Sequence, residues 1–287
     1  MSTPALDFLL ASQNSDGGWG YAQGQASTTE ATATTALALQ NDAAGDECYR
    51  RALDWLRTAQ HPDGGWGLSH EDDESGWETA WAVLALTRVG DETGALDRGV
   101  NWLSAVKRLQ ITDDELQKET REKAGIDPNL DGWPWLPGEA TWVEPTALAM
   151  LALGALPPTP AILARLNEAV RYQHDRRCRG GGWNFGNPIM LGGSLPPRAH
   201  PTAWAILALA RVAPETIQPE DVTALRAEMQ RDGGALALAW GLLALRTLDQ
   251  NDEEAAARLS AQQRPDGGWN QNPYHTAVAI LATQGHL

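Results

Sequence analysis

The stretch "WLRTAQHPDGGWG", residues 55–67, holds the end of a charged helix, a sharp break and a tryptophan. "FLLASQNSDGGWG" (8–20) and "LSAQQRPDGGWN" (259–270) repeat it, and Gln13, Gln60 and Gln263 each stand six residues ahead of Trp19, Trp66 and Trp269. Looser copies are "NLDGWPWLPG" (129–138), "YQHDRRCRGGGWNFG" (172–186) and "EMQRDGGALALAWGLLAL" (228–245), the last keeping Asp232-Gly233-Gly234 without the tryptophan. Together they make six helix–turn–helix repeats, with Asp-Gly-Gly as the breaker. The helix before each break carries mixed charge ("YRRALDWLRTAQ", "DEEAAARLSAQQ"), as a solvent-facing helix does. The helix after it is almost wholly Ala, Leu, Trp and Thr and needs burial on every side. Charged outer helices alternating with apolar inner ones predict an all-α, two-layer (α/α)6 toroid, one domain over residues 1–287.

Composition narrows the partners. The 287 residues include 13 Trp against 2 Phe and carry a net charge of −15. That charge excludes nucleic acid, whose phosphates need Lys and Arg. The one local concentration of cations is Arg176, Arg177 and Arg179 in "DRRCRGGGW". Two cysteines, Cys48 and Cys178, predict no disulfide framework and fit a reducing cytosol. The start "MSTPALDFLL" lacks the basic region and apolar run of a signal peptide. No run of about 18 apolar residues exists to span a membrane. The expectation is a cytoplasmic protein, with peripheral membrane contact left open.

The Gln…Asp-Gly-Gly-Trp spacing resembles the repeat of squalene–hopene and oxidosqualene cyclases, shared more loosely with the β subunits of protein prenyltransferases. The resemblance runs over essentially the whole chain. It implies that Gln13, Gln60, Gln263, Trp19, Trp66 and Trp269 tie the outer helices together. It also implies isoprenoid binding and cyclase, that is isomerase, chemistry. Cyclases of that family that protonate an alkene carry Asp-x-Asp-Asp-Thr-Ala ahead of one inner helix, the central aspartate being the acid. In "DDESGWETA" those three positions hold Ser75, Trp77 and Glu78. Family cyclases of this type are usually two-barrel proteins, so a second barrel supplied in trans stays open. The zinc prenyltransferases open an inner helix with Asp-x-Cys-Tyr. Here "DECY" (46–49) precedes an outer helix, and only "YHT" (274–276) matches their zinc histidine context.

Each inner helix can be numbered from Thr32, Thr79, Thr146, Thr202, Leu238 or Thr276; slot +5 is then always Leu and slot +6 always Ala. Uniformity of that kind suits tight packing, where a larger residue would clash. Slot −2 instead holds Glu30, Trp77, Glu144, His200, Leu236 and Tyr274, and slot +2 holds Thr34, Trp81, Leu148, Trp204, Trp240 and Val278. The two slots lie four residues apart and share a helix face. Slot −1 adds Glu78 and His275. Every inner helix starts at the same end of its repeat, so Glu30, Glu78, Glu144, His200 and His275 form a polar rim above a belt of Trp81, Trp204 and Trp240. Trp133, Trp135 and Trp142 crowd beside the rim, with Trp77 and Tyr274 on it.

These residues support several readings. Glutamate in a first turn also complements the helix dipole, which accounts for Glu30, Glu78 and Glu144 without chemistry. That reading fails for His200 and His275, whose protonated form is disfavoured at a helix start. Neighbouring rim groups can meet as Glu144 with His200, His275 with Glu30, and Glu30 with Glu78. Such a carboxyl–imidazole pair is a proton donor or half a metal site, and two ligands alone make no zinc site. The preferred reading is proton-initiated cyclisation of a hydrophobic small molecule, with Glu144, His200, Glu30, His275 and Glu78 as catalytic candidates. Trp77, Trp81, Trp133, Trp135, Trp142, Trp204, Trp240 and Tyr274 would wall the ligand, since aromatic faces stabilise carbocations. No cofactor is expected, although a divalent metal on the rim remains an alternative, as does a non-catalytic isoprenoid carrier. Residues 104–130, "SAVKRLQITDDELQKETREKAGIDPNL", are a charged insertion in the third repeat, a lid or a solvated helix. "HEDDES" (70–75) is an acidic loop at the rim.

Overall fold

The computed structural model describes residues 3–88, 93–285 and 287. Its helices follow the expected alternation. Charged α1 (Pro4–Ala11) precedes apolar α2 (Thr29–Leu39), α3 (Asp46–Thr58) precedes α4 (Glu78–Leu86), and α5 (Ala95–Ala105) is followed by α6 (Asp114–Ala124) and then apolar α7 (Val143–Leu153). The order continues with α8 (Pro160–Asp175) and α9 (Ala199–Val212), α10 (Pro219–Asp232) and α11 (Ala235–Thr247), and α12 (Glu253–Ser260) and α13 (Pro273–Gln284). The only strands among the described residues are four of two residues each. β1 (Trp133–Pro134) pairs with β2 (Thr141–Trp142), and β3 (Ile189–Met190) with β4 (Gly193–Ser194), both antiparallel. No described helix is long and apolar enough to cross a membrane.

Local chemistry explains where the elements begin and end. Thr3, Thr159, Asp252 and Asn272 cap α1, α8, α12 and α13 through their side chains, and Pro4, Pro160 and Pro273 occupy first-turn positions where no N–H is needed. In the breaker, Asp16, Asp63 and Asp266 each accept from the amide two residues on, at 2.9–3.0 Å. The first glycine of each pair has φ of +98°, +93° and +90° at Gly17, Gly64 and Gly267. A Cβ there would also strike the backbone of the next outer helix, for instance Arg51 O at 2.8 Å from Gly17. Both the dihedral and the close approach therefore require glycine.

The recurring spacing of the breaker reflects a set of staples. The indole N–H of Trp19, Trp66, Trp183 and Trp269 donates to the carbonyl ten residues earlier, at 2.7–2.9 Å. The backbone N–H of Trp19, Trp66, Trp133, Trp183 and Trp269 donates to the threonine hydroxyl that opens the following inner helix. Gln13 Nε2 donates both to Gly17 O and to Cys48 O at the start of α3, and Gln60 repeats this with Gly64 O and Ala95 O. Trp55 and Trp102 complete the tie by donating to Asp16 and Asp63. Gln13 and Gln60 thus fasten one outer helix to the next, as the resemblance implied, helped by Trp55 and Trp102, whereas Trp19, Trp66 and Trp269 tie the outer helix to the inner helix of their own repeat.

Contacts gather the chain into two compact units. The first comprises Met1–Leu103 with Gly233–Leu287, and the second Ser104–Asp232. Within the first, α13 packs on both α11 and α2, and α2 packs on α4, so the last repeat lies beside the first. Every residue of α2 and α4 is buried. Within the second, α7 packs on α9, and every residue of α7 is buried. The charged insertion forms α6, which buries none of its residues and ends in left-handed Gly125 against Ile189 of β3. It is a solvated helix on the β3–β4 hairpin.

Candidate active site

In the first compact unit, Glu30 enters from the first turn of α2 and is 7% exposed. It is not the cap of that helix; Thr28 is, accepting from Ala31 N. The Glu30 carboxylate instead accepts a hydrogen bond from the Tyr21 hydroxyl at 2.6 Å. Tyr274, from the first turn of α13, stands beside Tyr21 and accepts from Trp240 Nε1 at 3.4 Å. The two tyrosine rings meet edge to face, 6.1 Å apart. Burial pushes both phenols above their ordinary range, and the Glu30 charge adds to the shift.

Glu78 opens α4 and is also 7% exposed. Burial pushes its carboxyl up to about 7, the negative charges of Glu30 and Asp72 add to the rise, and bonds from its own amide and from the Trp77 indole oppose it. The carboxyl is therefore about half protonated near neutral pH. Trp81 lies three residues further along the same helix face and is wholly buried, with its ring 5.9 Å from that of Trp240. His275 meets Asn270 through Nδ1 at 2.9 Å, and its ring stands 5.9 Å from that of Tyr274. The first unit thus brings Glu30, Glu78, Tyr274, Trp77, Trp81, Trp240 and His275 onto the starts of α2, α4 and α13 and the belt of α4 and α11.

The second compact unit holds Glu144 and His200. His200 Nδ1 lies 3.2 Å from Glu144 Oε1, across the contact of α7 and α9. The imidazole stands edge-on to Trp204, one turn further along α9, at 4.5 Å between ring centres. The two atoms are within ion-pair reach, but the approach is not a hydrogen bond, since buried Glu144 Oε1 has no hydrogen-bond partner. Two residues ahead of each partner, Trp142 and Arg198 help line a cavity of about 300 Å³ with Asn184, Phe185, Met190 and Leu195. Trp142 and Phe185 are exposed there.

Not every predicted wall residue is placed as one. Trp133 takes the position in the third repeat that Trp19 takes in the first, its N–H on Thr146 and the Arg165 guanidinium 4.0 Å over its ring. It sits with the tryptophans that hold the fold. Trp135 is half-buried just beyond β1. Two of the three arginines of the cluster are already paired, Arg177 with buried Asp221 at 3.0 Å and Arg176 with Asp175, while Arg179 is exposed. No group of three or more His, Cys, Asp or Glu among the described residues is placed to hold a metal ion. "DECY" opens outer helix α3, where Arg50 pairs with Asp46 and Glu47. In "HEDDES", Asp72 folds the loop by accepting from Leu68 N, and Ser75 donates to Asp63.

Tyr21 escaped the sequence reading because it lies outside the numbered slots. Its signal was a departure from the repeat: two residues after the tryptophan stand Leu68 in the second repeat and Gln271 in the sixth, but a tyrosine in the first.

Helical hairpins with apolar inner helices, carboxyls and imidazoles at their starts and tryptophans one turn below define an all-α protein of the (α/α) barrel class. Residues 1–125 match the family model described as the squalene-hopene cyclase C-terminal domain. Among solved structures, the chain is similar to a protein from Actinoplanes (19% identity, TM-score 0.62, covering 98% of this chain and 97% of that one). It is also similar to a variant of the type II terpene cyclase MstE from Scytonema in complex with the substrate geranylgeranyl dihydroxybenzoate (18% identity, TM-score 0.63, covering 98% and 95%). A novel alpha-amylase from Clostridium perfringens shares the fold equally well (12% identity, TM-score 0.64, covering 98% and 96%). No curated protein matches the chain. The match over residues 1–125 agrees with the resemblance to squalene–hopene cyclases read from the Gln…Trp spacing, and the solved structures, each under 20% identical, show the fold. The amylase shows why the fold alone does not name the reaction.

Proposed function

We propose that this protein binds a hydrophobic, isoprenoid-class ligand against its inner helices and cyclises it by proton transfer, with Glu78 as the acid. The observation that carries this reading is a buried carboxyl, partly protonated at neutral pH, one turn above the paired rings of Trp81 and Trp240. An acid whose pKa lies near the working pH keeps its proton available. Protonation forms a C–H bond at one alkene carbon and leaves a cation at the other. A second double bond attacks that cation, and loss of a proton ends the sequence. Aromatic faces held away from water stabilise the cation throughout. The Scytonema neighbour is a type II terpene cyclase, and this chain covers 95% of it.

The test is incubation with free polyprenols and polyprenylated aromatic acids, followed by mass spectrometry for cyclic products of unchanged mass. Glu78→Gln is expected to lower turnover about 10²-fold or more, while Glu144→Gln leaves most of it. Turnover by Glu78→Gln at the parent rate would overturn the assignment. Tight binding without turnover in the parent protein would favour the carrier reading, in which Trp240→Ala weakens binding and Glu78→Gln does not.

A further inference from the structure

The outer layer of the first compact unit covers its inner helices unevenly. On α2 lies α3, which is 13 residues long, and Gly45 just ahead of it rests against Leu39. On α13 lies α1, of only 8 residues. The two outer helices also start at different heights. A Cβ on Gly17 would meet the carbonyl of Arg51, well inside α3, whereas a Cβ on Gly267 would meet that of Pro4, the first residue of α1. Thr3 as cap and Pro4 in the first turn fix the start of α1 at that point. The far end of α13 thus lacks the cover that the first turn of α3 gives α2. Thr283 stands there, at the slot that holds Leu39 in α2.

The gap is a cavity of about 400 Å³, a size common among small-molecule sites. Its wall is largely aliphatic, with Leu6 from α1, Leu242 from α11, Leu259 from α12 and Ile280 from α13. One cation reaches it. Arg246, in the last turn of α11, lines the cavity and donates through Nη1 to the carbonyl of Thr283. That bond holds the guanidinium in place and uses one of its five N–H groups. Arg246 forms no ion pair with a described residue, in a chain where Asp and Glu outnumber Lys and Arg by 37 to 22. Asp42 also stands on the wall, but its carboxylate is engaged in capping the turn after α2, accepting from Ala44 N at 2.8 Å.

We propose that this cavity is a second binding site, taking a single-chain amphiphile with its aliphatic tail among Leu6, Leu242, Leu259 and Ile280 and its carboxylate on Arg246. A guanidinium with donors to spare binds a carboxylate through charge-assisted hydrogen bonds, and the apolar wall gains from covering a tail. No residue of the wall belongs to the rim or to the tryptophan belt, so the site stands whether or not the protein is a cyclase.

The test is calorimetric titration of the full chain with octanoate, 1-octanol and octylammonium, which share a tail and differ in the head. Octanoate is expected to bind once per chain, with 1-octanol about tenfold weaker and octylammonium weaker still. Arg246→Gln should bring octanoate down to the level of 1-octanol and leave 1-octanol unchanged. Ala256→Trp, which fills the cavity from α12, should abolish binding of both and serves if Arg246→Gln does not fold. No binding of octanoate, equal binding of octanoate and 1-octanol, or octanoate binding that survives Ala256→Trp would each overturn the proposal; the last would place the tail elsewhere in the protein.

Discussion

The two compact units bury carboxyl groups by opposite means. In the second, buried acids meet cations or imidazole: Asp221 meets Arg177, Glu228 meets Arg231, and Glu144 meets His200. In the first, Glu30 is met by the Tyr21 phenol, and Glu78 by burial and further negative charge. An acid facing a cation stays ionised and contributes to the fold, whereas an acid facing other acids responds to burial by holding its proton. The contrast locates chemistry better than residue type does, since both units carry glutamates at the same slot of the repeat. It also separates the two tryptophan settings, with Trp204 beside an imidazole and Trp81 one turn below a carboxyl raised by burial.

The contrast breaks most visibly at Arg177. Replacing it by methionine leaves Asp221, wholly buried, without its cation, and should cost about 3–5 kcal/mol in urea unfolding. Adding Asp221→Asn should recover part of that loss. Full stability of Arg177→Met would mean that the second unit does not rely on ion pairing.

The first unit should show its difference as pH dependence. The Glu78 carboxyl is raised in the folded state, so the native protein binds more protons than the unfolded chain between about pH 4.5 and 7. Its contribution is therefore fully present below the unfolded value and lost as pH rises through the folded one, on the order of 3 kcal/mol in all. Glu78→Gln should flatten unfolding free energy over that window. A slope that survives the substitution would place the linked proton elsewhere.

The smallest effect tests the repeat itself. Gln60→Ala removes two hydrogen bonds to backbone carbonyls, one of them on the next outer helix, and should cost about 1–2 kcal/mol. Catalysis should be spared, because the staple holds helices and touches no candidate site residue. Loss of turnover at full stability would sink the division between fold and site residues.

Much of this was legible in the chain. The spacing of Gln, Asp-Gly-Gly and Trp marked the repeats, because a positive-φ glycine and an indole bonded ten residues back are local requirements. The uniform Leu and Ala slots marked the inner helices, all buried in α2, α4 and α7. Slot −2 pointed to the carboxyls and imidazoles, and the Glu144–His200 approach at 3.2 Å was among the neighbour pairs it allowed. Trp133 was grouped with the ligand wall because its repeat has altered spacing around Pro134, which hides its equivalence to Trp19.

The sequence by itself determined the helical hairpins, their outer and inner faces, and the stretch in which polar groups collect, since all of these follow from periodicity and breakers within about forty residues. Only the tertiary structure decided that Glu78 is buried beside other negative charge and so held above the ordinary carboxyl range. That state depends on Glu30 and Asp72 meeting Glu78 across nearly fifty positions of chain. Charge and burial act through space, and no local pattern records how many negative groups will share one buried corner.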